Sequence, residues 1–170
     1  MLFRSWRVLR TSAAAASRQP APPPLPDAPA DGPARKGPPP GWRDGYMSAI
    51  EWRAARGSIG GLGPAAVWTR MRYPLVADEE PAPLERVLVT ADSGNGASAE
   101  LDISRWLFIN PELTVHLHRE PAGEWICLDA QTAITPGGAG LATSALSDLG
   151  GPVGVAAQSL FIAPRQAPPG

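Results

Sequence analysis

Apolar positions along the chain divide it into one helical stretch and a series of strands. Residues 66–73 alternate, with Val67, Thr69, Met71 and Tyr73 on one side and Trp68, Arg70 and Arg72 on the other, the period of a strand. The period then lengthens. Leu84, Val87, Leu88 and Ala91 fall at i, i+3, i+4 and i+7 and predict one long amphipathic helix over 81–94. Pro83 suits its first turn, and Gly94-Asn95-Gly96 offers left-handed residues to end it. A short strand is expected ahead of these elements over 46–54, followed by a glycine-rich turn over 57–64. Only strands are expected after the helix, over 106–109, 113–119, 125–134, 141–148 and 153–162. Turns at Pro121-Ala122-Gly123, Pro136-Gly137-Gly138 and Leu149-Gly150-Gly151-Pro152 separate the later ones. Strand, helix, then a run of antiparallel strands predicts an α+β fold in which one helix packs against one curled sheet.

Composition adds boundaries. Residues 1–18 are rich in Arg, Ala and Ser and carry no acid. Residues 19–41 form a linker, with ten prolines between residues 19 and 40. So many prolines cannot join a sheet ladder and favour an extended, polyproline-like segment. The globular domain spans 42–165, and 166–170 are a disordered tail. The first zone has three readings: the stump of a strand over 3–11, a mitochondrial transit peptide, or a disordered tail.

The chain of 170 residues has 15 basic and 16 acidic residues, a formal net charge of −1, which gives no case for a nucleic-acid partner. Cys127 is the single cysteine, so no intramolecular disulfide and no multi-thiolate zinc site can form. That usage suits a reducing, cytoplasmic setting. His116 and His118 would share one strand face, but no third metal ligand is evident, and neither a metal nor a cofactor is expected. No apolar run approaches the roughly 20 residues of a membrane span.

Three polar residues stand in places where the pattern is apolar. Asp92 lies at the edge of the helix stripe and near the helix C-terminus, where the macrodipole disfavours an anion. Gln158 shares a strand face with Ala156 and Leu160, and a buried amide would need several hydrogen-bond partners. Asn110 precedes Pro111 between two strands. Each has a bland alternative: a turn-forming carboxylate, an edge-strand glutamine facing water, and a turn residue. A carboxylate and a carboxamide aimed into one cleft could polarise a water. The serines lack a nucleophile-elbow motif. The glycines of 57–63 follow no clear strand and open no helix. Arg119, Glu120 and Glu124 read as a solvated hairpin end. Trp106 and Trp125 read as core or dimer aromatics.

Three stretches carry a resemblance: YPLVADEEPAPLERVLVTADSGNG, WLFINPELTVHLHREPAGEWICLDAQT and GAGLATSALSDLGGPVGVAAQSL. They resemble the C-terminal hotdog domain of the acyl-CoA thioesterase II-like family, in its actinobacterial branch. The resemblance implies a single hotdog here where relatives fuse two, and makes residues 3–11 the last strand of a missing first half. It implies hydrolysis of acyl-CoA to free acid and CoA, a role in lipid metabolism, and a homodimer in place of the missing half. It assigns the water-activating carboxylate to Asp92 and the strand glutamine to Gln158. The family's hydroxyl position falls on Asn110, where this chain departs from the family's pattern. A backbone N–H near the helix start would hold the oxyanion. Two alternatives stand beside this: a non-catalytic acyl-binding or assembly module, and a hotdog dehydratase or hydratase. The last is the weaker, because no histidine lies near Asp92 in sequence.

Overall fold

The structure is a computed structural model that describes residues 27–29 and 45–165. Most of the stretches read as strand stump, linker and tail lie outside the described residues. Within the stretch read as linker, the main-chain carbonyl of Asp27 accepts a hydrogen bond from Trp68 Nε1 at 2.6 Å.

Gly45 turns the chain at φ 68° into a single helical turn, α1 (Tyr46–Ala49). This corrects the strand expected over 46–54, which begins only at Ile50. The Ser48 hydroxyl donates to the Gly45 carbonyl, and Trp52 Nε1 donates to the Met47 carbonyl. These bonds fold the turn back onto the strand that follows. Next come β1 (Ile50–Arg56), β2 (Ala65–Met71), α2 (Pro83–Ala91), α3 (Gly94–Ala97), β3 (Trp106–Ile109) and β4 (Thr114–Leu117). The chain ends in β5 (Ile126–Ile134), β6 (Ala139–Asp148) and β7 (Gly151–Pro164). All seven strands form one antiparallel sheet in the order β1-β2-β5-β6-β7-β3, with β4 also on β7.

One face of this curled sheet packs on the helices. Ile50, Trp52, Ala65, Val67, Ile126, Leu128, Ala130, Leu146, Val153 and Ala156 meet Val87, Ala91 and Ala97. Burying Val87 fully contributes about 1.5–3 kcal/mol. The α2 stripe differs from the sequence expectation. Val87, Thr90 and Ala91 are buried, whereas Leu84 and Leu88 remain 40% and 42% exposed. Thr90 takes a core place because its hydroxyl lies 2.6 Å from Thr69 Oγ1, a buried polar pair that satisfies itself. On the other face of β5, burial pushes the Cys127 thiol up to about 12, which keeps it from reacting. Among the described residues no helix is long and apolar enough to cross a membrane.

The far side of β7 carries two short strands rather than one. β3 pairs with Phe161–Pro164 and β4 with Gly154–Ala157, so residues 110–113 leave the ladder opposite the middle of β7. Pro111 has no N–H to give such a ladder. The vacated position is filled by a side chain, as Glu112 Oε1 accepts the Ser159 main-chain N–H at 2.6 Å. That bond, with one from the Ser159 hydroxyl, holds the Glu112 carboxyl below the usual carboxylate range. The break therefore leaves the Ser159 N–H satisfied.

Arg119 is not a solvated hairpin residue. Its Nη1 and Nη2 reach the two carboxylate oxygens of Asp148 at 2.6 Å each, and it also donates to the carbonyls of Pro152 and Gly151. Asp148 is fully buried and accepts the main-chain N–H groups of Ala122 and Gly150 as well. Burial pushes its carboxyl up, but Arg119 and the two N–H groups more than offset this and hold it below the usual range. A depressed folded value means that this stabilisation is present above the unfolded value of about 3.9 and is lost as pH falls through the folded one. Arg119→Leu is expected to cost about 3 kcal/mol or more in urea denaturation at neutral pH, because it strands a buried carboxylate. The deficit should shrink below about pH 4, where Asp148 protonates. A deficit unchanged across that range would show that the pair is not the cause.

Candidate active site

The long helix expected over 81–94 is two helices spliced by a side chain. α2 ends at Ala91, with Asp92 as its C-cap, and α3 begins at Gly94. In an uninterrupted helix the Asn95 N–H would bond to the Ala91 carbonyl, and the Asp92 carbonyl would accept from Gly96. Here Asn95 N–H donates to Gln158 Oε1 at 2.9 Å, and Gln158 Nε2 donates to the Asp92 carbonyl at 3.1 Å. A side chain inserted into the ladder is a recognised cause of a sharp helix break. The two bonds also fix which way the amide points, since only its oxygen can accept and only its nitrogen can donate. Gln158 is 1% exposed and sits on a central part of β7, not on an edge facing water.

This splice explains Gly94. Neither it nor Gly96 adopts a positive φ, so they are not the left-handed terminators the sequence suggested. A Cβ on Gly94 would lie 2.7 Å from Gln158 Oε1 and 3.0 Å from Ser144 Oγ. The position is glycine because the amide occupies the space.

Asp92 leaves its carboxylate exposed at the splice. Asn110 Nδ2 donates to Asp92 Oδ1 at 3.0 Å across the break in the β3–β4 edge. The structure thus brings all three sequence-selected residues, Asp92, Asn110 and Gln158, to one place. Their contacts differ: Asn110 holds the Asp92 carboxylate, whereas Gln158 holds the Asp92 main chain. The start of α2 is not part of this cluster. Nine residues of helix, about 13 Å at 1.5 Å each, separate it from Asp92, so its N–H groups cannot serve a reaction there.

Two further residues complete the site. The Tyr46 hydroxyl donates to the Val89 carbonyl at 2.7 Å and lies 2.7 Å from Ser93 Oγ, the residue that follows Asp92. Burial holds its phenol above the ordinary value; the Ser93 bond draws it down and the Asp92 charge raises it. Tyr46 therefore stays a neutral donor. Asn95 Nδ2 donates to the Phe108 carbonyl at 3.2 Å and ties α3 to β3. Sequence reasoning missed both. Tyr46 was hidden in an apparent strand, and Asn95 sat between glycines read as a terminator.

Beside Asp92 opens a cavity of about 510 Å³. Its wall is chiefly apolar, from Tyr46, Trp52, Ile59, Leu62, Leu101 and Phe108, with Asp92, Ser93 and Asn95 at one part. A mostly apolar cleft with a few convergent polar groups is the usual form of a small-molecule site. Among the described residues no cluster of three or more His, Cys, Asp or Glu side chains could hold a metal. His116 lies on β4 beside Val155, on the sheet face turned away from the helices and from Asp92.

A curled antiparallel sheet wrapped on a central helix, with its polar cluster where the helix breaks, defines a single hotdog domain. The family model of the acyl-CoA thioesterase C-terminal domain matches residues 21–162, and the chain belongs to that family. Among solved structures it is similar to acyl-CoA thioesterase II TesB2 from Mycobacterium marinum, at 20% identity and a TM-score of 0.60. That match covers 89% of this chain and 59% of that one. A tesB protein from Mycobacterium avium subspecies paratuberculosis matches at 15% identity and TM-score 0.53, over 79% of this chain and 56% of its own. A hypothetical thioesterase from Streptococcus pneumoniae, solved with coenzyme A, matches at 12% identity and TM-score 0.52, over 71% of this chain and 93% of its own. At these identities the likeness is one of fold. The chain thus spans between half and two thirds of the length of the two mycobacterial proteins. No curated protein matches it by sequence.

The splice sets the sign of a stability test. Alanine normally exceeds glycine in a helix by up to about 1 kcal/mol. Gly94→Ala should instead lower the thermal midpoint, because its Cβ displaces Gln158. A higher midpoint would mean that the amide does not sit where it is described.

Proposed function

We propose that this domain hydrolyses acyl-CoA thioesters by directing a water onto the thioester carbonyl. The observation that carries the reading is the Asn110–Asp92 hydrogen bond at 3.0 Å beside an apolar cavity of about 510 Å³. Asp92 Oδ1 is engaged by Asn110, so Oδ2 is the oxygen that takes the proton of the attacking water. The Asn110 side-chain oxygen can accept a hydrogen bond from the water's other O–H. Gln158 is a positioning residue: it grips the main chain at Asp92 and Asn95 and so aims the carboxylate at the cavity. The water's oxygen bonds to the carbonyl carbon, the C–S bond breaks, and the CoA thiolate takes up a proton. No serine or cysteine nucleophile is needed, and the buried Cys127 has no part.

The dehydratase alternative requires an Asp/His pair, and His116 faces the other side of the sheet. A non-catalytic acyl-binding role predicts the same cavity without turnover. Release of free CoA thiol by the purified full chain separates the two. With activity present, Asp92→Asn should lower kcat by about 100-fold or more with the fold retained by circular dichroism. Undiminished turnover in folded Asp92→Asn would remove Asp92 from the mechanism. Acyl-CoA binding without turnover in the parent would favour the binding module.

The surroundings of the site support a second copy as partner. Leu84 and Leu88 on α2 join Leu75 and Val76 as exposed apolar side chains, and β3 and β4 form one edge of the sheet beside Asn110. Apolar area of this kind is commonly buried by association. We propose an edge-to-edge homodimer with the site at the boundary. Specific activity should then fall on dilution, in step with dissociation measured by sedimentation equilibrium. A monomer fully active at nanomolar concentration would overturn the dimer.

A further inference from the structure

The face of the sheet turned away from the helices is not uniformly bare. Val67 packs in the core and Thr69 meets Thr90 of α2, so Ala66 and Trp68 point the other way. Cys127 lies opposite Trp68 on β5, on that same outer face. All three outer residues are at most 1% exposed. Farther across the face, Gln131, Ala145 and Val155 are exposed. The covered end is where a segment remote in sequence reaches the sheet. Trp68 Nε1 donates to the Asp27 carbonyl at 2.6 Å, across a separation of 41 residues, and Pro29 beside it is half-buried.

The two partners are chemically complementary. A buried indole N–H can only donate and needs an acceptor. β2 pairs with β1 on one side and β5 on the other, so the ladder takes up the main-chain carbonyls nearest Trp68. A proline-rich segment has the opposite surplus. Its prolines have no N–H, and a polyproline helix makes no internal hydrogen bonds, so its carbonyls stay free to accept. Asp27 stands in such a sequence, Pro22-Pro23-Pro24-Leu25-Pro26-Asp27-Ala28-Pro29. Aromatic surfaces recur as recognition sites for segments of this kind. We propose that the Trp68 face is a docking site for a proline-rich segment, and that its occupant is this chain's own residues 26–29. The segment is thereby a strap fastened to the back of the sheet and not a free linker. It is held on the face of β2 opposite the helices, so the proposal is independent of the reading of the site at Asp92.

The test follows the Trp68 indole N–H of the ¹⁵N-labelled full chain by hydrogen exchange in NMR spectra. Trp68→Phe identifies the signal by its loss, and through-bond correlation identifies it if that variant fails to fold. The parent signal should exchange slowly, at a rate that does not change with protein concentration. The double substitution Pro26→Gly and Pro29→Gly leaves the sheet and helices unaltered. It should speed the exchange about 4- to 30-fold, because two lost proline restraints favour the undocked segment. A synthetic peptide of residues 20–34, added to that double variant, should slow the exchange again, and a Gly/Ser peptide of equal length should not. Exchange unchanged by the double substitution, or indifferent to the proline-rich peptide, would overturn the docking site. A parent rate that slows as concentration rises would overturn the occupant, since the segment would then come from a second copy.

Discussion

The side-chain amide of Gln158 takes the place of one turn of helix, and the site depends on that substitution. A helix running unbroken from Pro83 through Ala97 would carry its hydrogen bonds internally and present Asp92 as one more residue on its flank. The amide instead accepts from Asn95 and donates to the Asp92 carbonyl, so the helix divides between them. Such a replacement is stable only if both backbone groups and both amide groups are paired, because an unpaired buried polar group costs about 1–3 kcal/mol. Gln158 meets that condition, and no buried side-chain nitrogen or oxygen among the described residues lacks a partner.

The sheet contributes a matching break. Residues 110–113 leave the ladder opposite the same part of β7 that supplies Gln158, and Glu112 takes over the Ser159 N–H. The departure brings Asn110 against the Asp92 carboxylate. Helix break and strand break thus coincide on either side of one carboxylate, each repaired by a side chain rather than by main chain. Tyr46 adds bonds to Val89 and Ser93 on the same stretch of chain. An anion near a helix C-terminus opposes the macrodipole. These contacts retain it there.

Much of this was legible in the sequence, and for identifiable reasons. Alternation in β2, β4 and β7 gave strand faces correctly, because a buried sheet face enforces a period of two. The parity that placed Gln158 with Ala156 and Leu160 is the parity observed. The helix was harder. Its apolar spacing suggested Leu84 and Leu88 as core, but the sheet covers the side bearing Val87, Thr90 and Ala91, a choice made by tertiary packing. Gly94 and Gly96 resembled a helix terminator, whereas one makes room for an amide 64 residues away in sequence and the other lines a cavity. Arg119 and Asp148 lie on separate strands with nothing local to join them. The meeting of Asp92 with Asn110 and Gln158 was suggested by family resemblance, since no periodicity encodes it.

The claim at the centre is that Asp92 handles a water and does not itself attack the thioester. A single turnover in ¹⁸O-enriched water, with protein in excess over acyl-CoA, reads this directly. Water attack places the label in the released fatty acid and none in Asp92, as mass spectrometry of the acid and of the peptide containing Asp92 would show. Label in the Asp92 carboxylate with an unlabelled acid would mean that the aspartate had formed an acyl anhydride, and would contradict the account.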